Sequence, residues 1–335
     1  MDKGGVIVMG EFKEKMAVGN NNLEENILKL KDYINNADAI VIGAGIGLSF
    51  SSGFVYSGER FERYFGDFSD KYGFNDMYSG GFYPYKTTEE KWAFWSRYIY
   101  VNRYMKPSKA VYDMIYNLVD GRSEGDVASQ PKKDYFILTT NVDHQFRKAG
   151  FAKRRIFHSQ GDFGMWQCSE PCHKRTYDNK ERVVKMLLAQ GFSIGNDGKL
   201  LAPENEDGKT DFTKLFMEVP SELVPYCPVC GEPMSMNMRS DNTFVEDENY
   251  GEAAENYEEF LDSYKDKKVL FLELGVGSKT PAIIKYPFWN MTQENENAMY
   301  ACINYGEAYC PKDIADRSVC IDADIVNVLN LLSEV

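Results

Sequence analysis

The run Asp38-Ala-Ile-Val-Ile-Gly43-Ala-Gly45-Ile-Gly47-Leu-Ser49-Phe-Ser-Ser52-Gly53 constrains this chain more than any other stretch. Ala39 to Ile42 shows no polar alternation, which predicts a strand buried on both faces. Alternating glycines end it, letting the backbone turn tightly and approach a ligand with no Cβ in the way. A helix starting near Leu48 or Ser49 would aim its free N–H groups and positive end at the same spot, which suits a phosphate. The stretch thus has the form of the first strand-turn-helix of a nucleotide-binding fold. It is not the G-x-G-x-x-G dinucleotide fingerprint, because the third glycine comes one residue early, at Gly47. Nor does an acidic residue end a second strand about 20 residues later. A tight turn with no ligand is the competing account of these glycines taken alone.

The surrounding chain supplies the rest of an α/β rhythm. Leu23, Ile27, Leu30 and Ile34 predict an amphipathic helix over 23–36. Residues 54–107 are crowded with aromatics interrupted by glycines, which fits either a pocket cover of loops and short helices or a small aromatic core. Helices are predicted from Thr88 to Met105, broken by Pro107, and from Lys109 to Leu118. Gly121 to Lys133 reads as an exposed polar connection. Strands follow at Tyr135–Leu138, Arg154–Phe157, Lys268–Leu274, Tyr300–Asn304 and Ser318–Ile321, with a closing helix from Asp324 to Leu332. Small or polar residues end these strands, notably Thr139-Thr-Asn141-Val-Asp143-His144 and His158-Ser-Gln160-Gly161, where an open α/β sheet gathers its chemistry. The expected fold is a Rossmann-like doubly wound parallel sheet with a smaller appended unit.

Composition narrows the function. The net charge of −13 argues against nucleic acid, whose backbone needs clustered Lys and Arg. No segment approaches the ~18 to 20 apolar residues of a membrane span. Met1 to Asn22 has too short an apolar patch for a signal peptide, so the expectation is a leader on a cytoplasmic protein. Seven cysteines make a disulfide framework improbable, yet four fall in close pairs: Cys168-x3-Cys172 and Cys227-Pro-Val-Cys230-Gly. Two pairs with a tight knuckle fit a tetrahedral structural zinc, the alternative being four reduced thiols. Four thiolates leave no open coordination position, so such a metal would be structural.

The order of these motifs resembles the sirtuins, NAD-dependent deacylases and ADP-ribosyltransferases, from about residue 24 to 332. Ser52-Gly-Phe-Val-Tyr56-Ser-Gly-Glu-Arg60-Phe and Tyr78-Ser-Gly-Gly-Phe-Tyr-Pro84 are similar to the macrodomain-linked (class M) microbial branch. The Pro-Asp-Phe-Arg stretch of ordinary sirtuins is absent. The resemblance implies an NAD-binding domain from 24–55, 107–162 and 246–335. A small domain would be built from a helical insertion (56–106) and a zinc-ribbon-like cysteine insertion (163–245), with NAD in the cleft between. It implies phosphate-facing roles for Gly43, Ala44 and Gly45, and for Gly275, Gly277 and Ser278 in the second glycine loop, with Ser49 also among the cofactor-binding residues. Asn141 and Asp143 would face the nicotinamide ribose and carboxamide, Asn304 the adenosine ribose, and Ile321 the adenine edge.

The departure is Gln160, which stands where deacylating sirtuins carry a histidine base. A glutamine amide cannot take a proton at neutral pH, so the base-dependent second half of deacylation has no agent. Transfer of ADP-ribose to a protein side chain asks only for positioning and electrostatics, which Asn141, Asp143 and Gln160 can supply. The expected activity is NAD-dependent protein mono-ADP-ribosylation. The alternatives are a deacylase using His158 or His144 as base, and a non-catalytic NAD or ADP-ribose sensor. By strand alternation His158 would face the same way as Gln160, whereas His144 reads as a structural residue at a helix start. For the class M branch the resemblance further implies a lipoylated carrier acceptor, like the glycine-cleavage H protein, and a macrodomain hydrolase partner.

Overall fold

The computed structural model describes residues 16–18, 22–120, 132–278 and 281–334. In chain order come strands β1 (Ala39–Ala44), β2 (Asp134–Thr139), β3 (Ile156–His158), β4 (Gly161–Cys168), β5 (Met234–Met238), β6 (Val269–Leu274), β7 (Met299–Ile303) and β8 (Ser318–Ile321). β4 and β5 pair antiparallel in a small separate sheet. The other six lie parallel in the order β8-β7-β6-β1-β2-β3. The chain works outward from β1 to β3, then returns to the centre at β6 and works outward the other way. The crevice between the carboxyl ends of β1 and β6 is therefore the topological switch point, where such sheets take their ligands.

β1 is buried along its whole length, as its unalternating sequence requires. One face of the sheet is covered by α1 (Leu23–Asn36), which turns Ile27, Leu30 and Ile34 inward and is capped by the Asn22 side chain. Short α2 (Ile46–Ser51) follows the glycine turn, starting two residues ahead of the sequence expectation. Then come α3 (Glu59–Tyr72), α4 (Thr88–Ile99) and α5 (Val111–Val119). The expected helix to Met105 in fact gives way after Ile99 to a wider π turn over Tyr100–Tyr104. That turn places Asn102 Oδ1 to accept from Arg60 and Arg103 to donate to Asp162. Downstream are α6 (Lys180–Ala189), α7 (Glu248–Tyr264), α8 (Lys285–Glu294) and α9 (Ile325–Glu334).

Three apolar clusters result. α1, α5 and α9 pack on one sheet face. Phe288 and Trp289 of α8, with Tyr257 and Phe260 of α7 packed against the same cluster, cover the other. The third joins α3 and α4 to β4 and α6 through Phe61, Phe65, Phe94, Trp92, Trp166 and Met186, so the aromatic stretch and the cysteine-bearing stretch share one core. Strand β3 begins at Ile156, because Lys153–Arg155 forms a 3-10 turn. Of residues 1–22, Met16–Val18 and Asn22 are described, and Met16–Val18 pairs antiparallel with Tyr309–Pro311. The polar connection lies outside the described residues over 121–131. Among the described residues no helix is long and apolar enough to cross a membrane.

Candidate functional site

A cleft of about 790 Å³ opens at the carboxyl ends of β1, β2 and β6. Its floor starts with two interlocked glycine turns. Gly45 N–H donates to Leu274 O at 3.0 Å and Gly47 N–H to Gly275 O at 2.9 Å. The contact is so close that a Cβ on Gly45 would lie 2.6 Å from Gly275 O. These amides thus hold the two halves of the sheet together and are not free donors for a phosphate. Gly43 and Ala44 lie behind the cleft: a Cβ on Gly43 would meet Phe288, and Ala44 O accepts from Thr139 and Thr140.

β2 ends in a turn that delivers the polar residues. Thr139 Oγ1 donates to Ala44 O at 3.0 Å and accepts from Asn141 N–H at 3.0 Å. Asn141 Nδ2 donates to Gly45 O at 2.9 Å, which fixes the amide's orientation and leaves Oδ1 with no hydrogen bond among the described residues. Asp143 accepts from Ser49 Oγ at 2.6 Å and from Gln145 N–H at 3.1 Å. Burial raises the Asp143 carboxyl above the ordinary carboxylate range, against the pull of those donors. Ser49 is therefore the residue that orients Asp143. Gln160 is half-buried and donates to Ser159 O at 2.9 Å, with its Oε1 unbonded among the described residues. Asn141, Asp143, Gln160, Gly45 and Ser49 all line this one cleft.

On the β6 side, Gly277 and Ser278 line the same cleft. Ser278 donates through N–H and Oγ to the Glu307 carboxylate at 2.7 and 2.8 Å. Gly275, at positive φ, packs on Gly47. Asn304 Nδ2 donates to Val276 O at 2.9 Å, and Asn304 N–H to Ile321 O at 3.2 Å. Asn304 and Ile321 are buried and brace this loop from behind, outside the cleft lining.

Both histidines face away from the cleft. Gly161, at φ +95°, interrupts the chain just after Gln160, and strand alternation ends at His158. His158 Nδ1 instead lies 3.2 Å from Asn141 O, and its ring stacks on that of His144 with centroids 3.4 Å apart. Burial pushes His144 down to about 4 and His158 well below the ordinary histidine range. The expectation that His158 shares a side with Gln160 is thus corrected. His144 stands at the start of the short helix Gln145–Lys148, as a structural residue would.

Other groups complete the lining. Arg239 lines the cleft, its N–H donating to Gln160 O at 3.1 Å, and its guanidinium pairs with Glu246 and Tyr250. Asp76, Glu307 and the aromatics Tyr56, Trp95 and Tyr98 also border the cleft. At the mouth Tyr78 and Phe82 are 62% and 61% exposed, with ring centroids 4.9 Å apart. The aromatic density of 54–107 was the available signal; part of it builds core and part builds the cleft wall.

Away from the cleft, the Sγ atoms of Cys168, Cys172, Cys227 and Cys230 lie within 4.8 Å of one another. Contacts of 3.4, 3.5 and 3.7 Å match the ~3.8 Å sulfur spacing that a tetrahedral zinc at ~2.3 Å from each thiolate requires. Backbone N–H groups of Cys230 and Val229 point at Cys227 and hold its thiol down to about 6. His173 Nε2 lies 3.4 Å from the same sulfur and 3.2 Å from Tyr177 Oη. The donor set fits zinc, and all four positions are filled by protein.

The architecture is that of known solved structures. A Sir2 bound to acetylated peptide aligns with TM-score 0.51 at 15% identity, over 92% of this chain and 97% of that one. A Sir2-p53 peptide-NAD+ complex gives TM-score 0.50 at 16% identity, over 90% and 95%. These place the fold among the sirtuins. A protein ADP-ribosyltransferase of Staphylococcus aureus (strain Mu50 / ATCC 700699) is 37% identical over 301 residues, 90% of this chain and 84% of that protein. The chain belongs to the sirtuin family, in its protein ADP-ribosyltransferase branch. A protein from Fusarium oxysporum f. sp. cubense, named a probable bifunctional ADP-ribose hydrolase/ADP-ribosyltransferase, is 26% identical over 94% of this chain, which spans 49% of that longer protein. No family model matches.

Proposed function

We propose that the chain transfers ADP-ribose from NAD to a protein side chain with release of nicotinamide. The observation that carries this reading is Gln160 bordering the cleft while both nearby histidines are turned behind it, one occupied with Asn141 O. No imidazole is available to deprotonate a ribose hydroxyl, which disfavours deacylation.

In transfer, the bond between C1′ and the nicotinamide nitrogen breaks, and its electron pair leaves with nicotinamide. A lone pair on the acceptor then forms the new bond to C1′, and the acceptor's proton passes to solvent. Asn141 and Gln160 present amide oxygens that can orient ribose hydroxyls. Asp143, held by Ser49, is placed to receive the carboxamide. The chain's part is positioning in a partly water-excluded cleft, where fixed dipoles are most effective. Two packed insertions, 56–106 and 163–245, would form a small domain closing over the 24–55, 107–162 and 246–335 domain. The four-thiolate site with its zinc would hold that domain in shape.

We take the acceptor to be a lipoylated carrier resembling the glycine-cleavage H protein, in the cytoplasm and with a macrodomain hydrolase as functional partner. The class M resemblance supports this, as does the fungal relative whose name joins hydrolase and transferase. The test is incubation with labelled NAD and the carrier in lipoylated and unlipoylated forms. Label on the lipoylated form alone is expected. Nicotinamide release without labelled protein, accompanied by acyl-lysine cleavage, would return the deacylase; no nicotinamide release would leave a sensor.

A further inference from the structure

A second cavity of about 420 Å³ lies behind the wall formed by the Asn141–His144 turn and the His158–Asp162 segment. It is bounded by the edge strand β3, the start of α7 and the 3-10 turn before β3. None of the residues that line the cleft lines this cavity.

The lining carries four cations, Arg103, Arg147, Lys153 and Arg154, against three carboxylates, Asp162, Asp247 and Glu252. Arg103 is satisfied by a two-pronged contact with Asp162, at 2.6 and 3.2 Å. Asp247 is spent as the cap of α7, accepting from Tyr250 N–H at 2.9 Å. Arg147, Lys153 and Arg154, all exposed, have no carboxylate partner among the described residues. Lys153 reaches Asn249, and Arg147 reaches a backbone carbonyl. Three unpaired cations at one rim are notable in a chain of net charge −13. Cations, arginine above all, are the usual partners of phosphate oxygens.

The floor asks for something different. His158 Nδ1 faces the Asn141 carbonyl and so carries the ring's proton, which makes Nε2 a lone-pair acceptor. That Nε2 is buried and has no hydrogen-bond partner, a costly condition. His144 Nε2 lies 3.3 Å from Asp162 but outside hydrogen-bonding geometry. His158 Nε2 is sealed from the cavity, so the acceptors that a ligand hydroxyl can reach are those of Glu252 and Asn256 along α7. Phe157 and Tyr250, edge to face at 5.1 Å, supply an apolar wall.

We propose that this rear cavity is a second ligand site, for a small phosphate monoester that also carries hydroxyl groups, such as a sugar phosphate. The phosphate meets Arg147, Lys153 and Arg154, and a hydroxyl donates to Glu252 or Asn256 of α7. The site is independent of the transfer reading, since it shares no lining residue with the cleft.

The chain has three histidines, so ring-proton magnetic resonance of the full-length protein reads the site directly. Ribose 5-phosphate and inorganic phosphate are titrated separately, with and without saturating NAD. Expected is a saturable shift of the His144 and His158 signals with ribose 5-phosphate, no movement of His173, and persistence of the effect with NAD present. The Lys153→Ser/Arg154→Ser double variant should weaken binding by about tenfold or more. Both substituted side chains are exposed, and an unmoved His173 signal verifies the fold. Absence of a saturable shift, displacement by NAD, or undiminished binding in the double variant overturns the proposal. An equal response to inorganic phosphate reads as an adventitious ion only, and overturns it too. Failure to bind NAD would sink the transfer reading and leave this site standing.

Discussion

At the scale of single residues, the cleft works through side chains whose orientation is settled by a neighbour. Asn141 is set by Gly45 O, Asp143 by Ser49, and Gln160 shares its segment with the Arg239 backbone. Asn141→Ala and Gln160→Ala should each lower transfer about a hundredfold, ~3 kcal/mol of lost transition-state stabilisation. Labelled ADP-ribose on the acceptor checks the rate, and calorimetry with NAD shows whether binding survives. A Gln160→Ala variant with full transfer would remove the amide from the mechanism. The histidine stack makes a separate prediction about acid. His144 is held near 4 by burial, with Arg103 adding to it and Asp162 opposing. A base whose folded value is depressed gives stability that is complete above its ordinary ~6.5 and is lost as pH falls toward the folded value. Denaturant midpoints should therefore drop between pH 6.5 and 4, by up to ~3 kcal/mol of unfolding free energy from this group. His144→Gln should show a flatter dependence in that window. The same slope in both proteins would mean that other groups govern it. The Asp162 carboxyl, held at about 2 by His144 and Arg103 against its burial, loses its contribution only as pH falls below the ordinary aspartate range, so the two effects separate.

Among elements, the interlocked glycine turns decide the architecture of the cleft. Gly45→Ala would drive a methyl into Gly275 O and Val276 Cα, at 2.6 and 2.7 Å. Overpacking of this kind costs roughly 1–3 kcal/mol and should lower the urea midpoint along with NAD affinity. Gly277→Ala, with nothing within 4 Å of its added carbon, should leave the midpoint unchanged. Equal losses in the two variants would show that glycine's freedom, not the close approach, matters here. The strands of the sheet were legible because each is a short apolar run ending in small or polar residues, and β1, β2 and β6 read correctly to within a residue or two. Four helices, α3, α6, α7 and α8, were not. α7 buries no residue fully and is rich in Glu, so it gives a weak period; α3 hides behind glycines and aromatics that suggest loop; α8 carries an internal Pro287. In the site, Asn141, Asp143 and Gln160 were visible as polar strand ends. Arg239 was not, because it arrives from the cysteine-bearing stretch, some 80 residues downstream of Gln160, and only tertiary packing puts it there. The side on which His158 falls was also hidden, since the strand ends at His158 and Ser159–Gln160 already form a turn, where alternation no longer applies.

For the whole molecule, the four-thiol cluster ties Cys168 at the end of β4 to the Cys227–Cys230 knuckle, closing a loop that contains α6. Zinc held there is part of the folding free energy of that stretch. Elemental analysis should find one zinc per chain, and Cys227→Ser/Cys230→Ser should release it and lower the thermal midpoint. A metal-free wild-type protein of undiminished stability would refute the assignment. The two glycine turns carry a consequence for how such a chain comes into being. Gly45 and Gly275 are about 230 residues apart, and the strand that brings Gly275 to the centre of the sheet is made after the Asn141 and Gln160 segments. Contacts of such sequence separation form slowly, because the long closure must be completed before they contribute. A nascent chain that has emerged only to residue 260 already carries Asn141, Asp143 and Gln160, but it lacks the strand whose glycine turn interlocks with Gly45 and Gly47. Catalytic competence is thus a late event in biosynthesis, acquired when the second half of the sheet docks, so an interrupted translation product carries these residues and no working cleft.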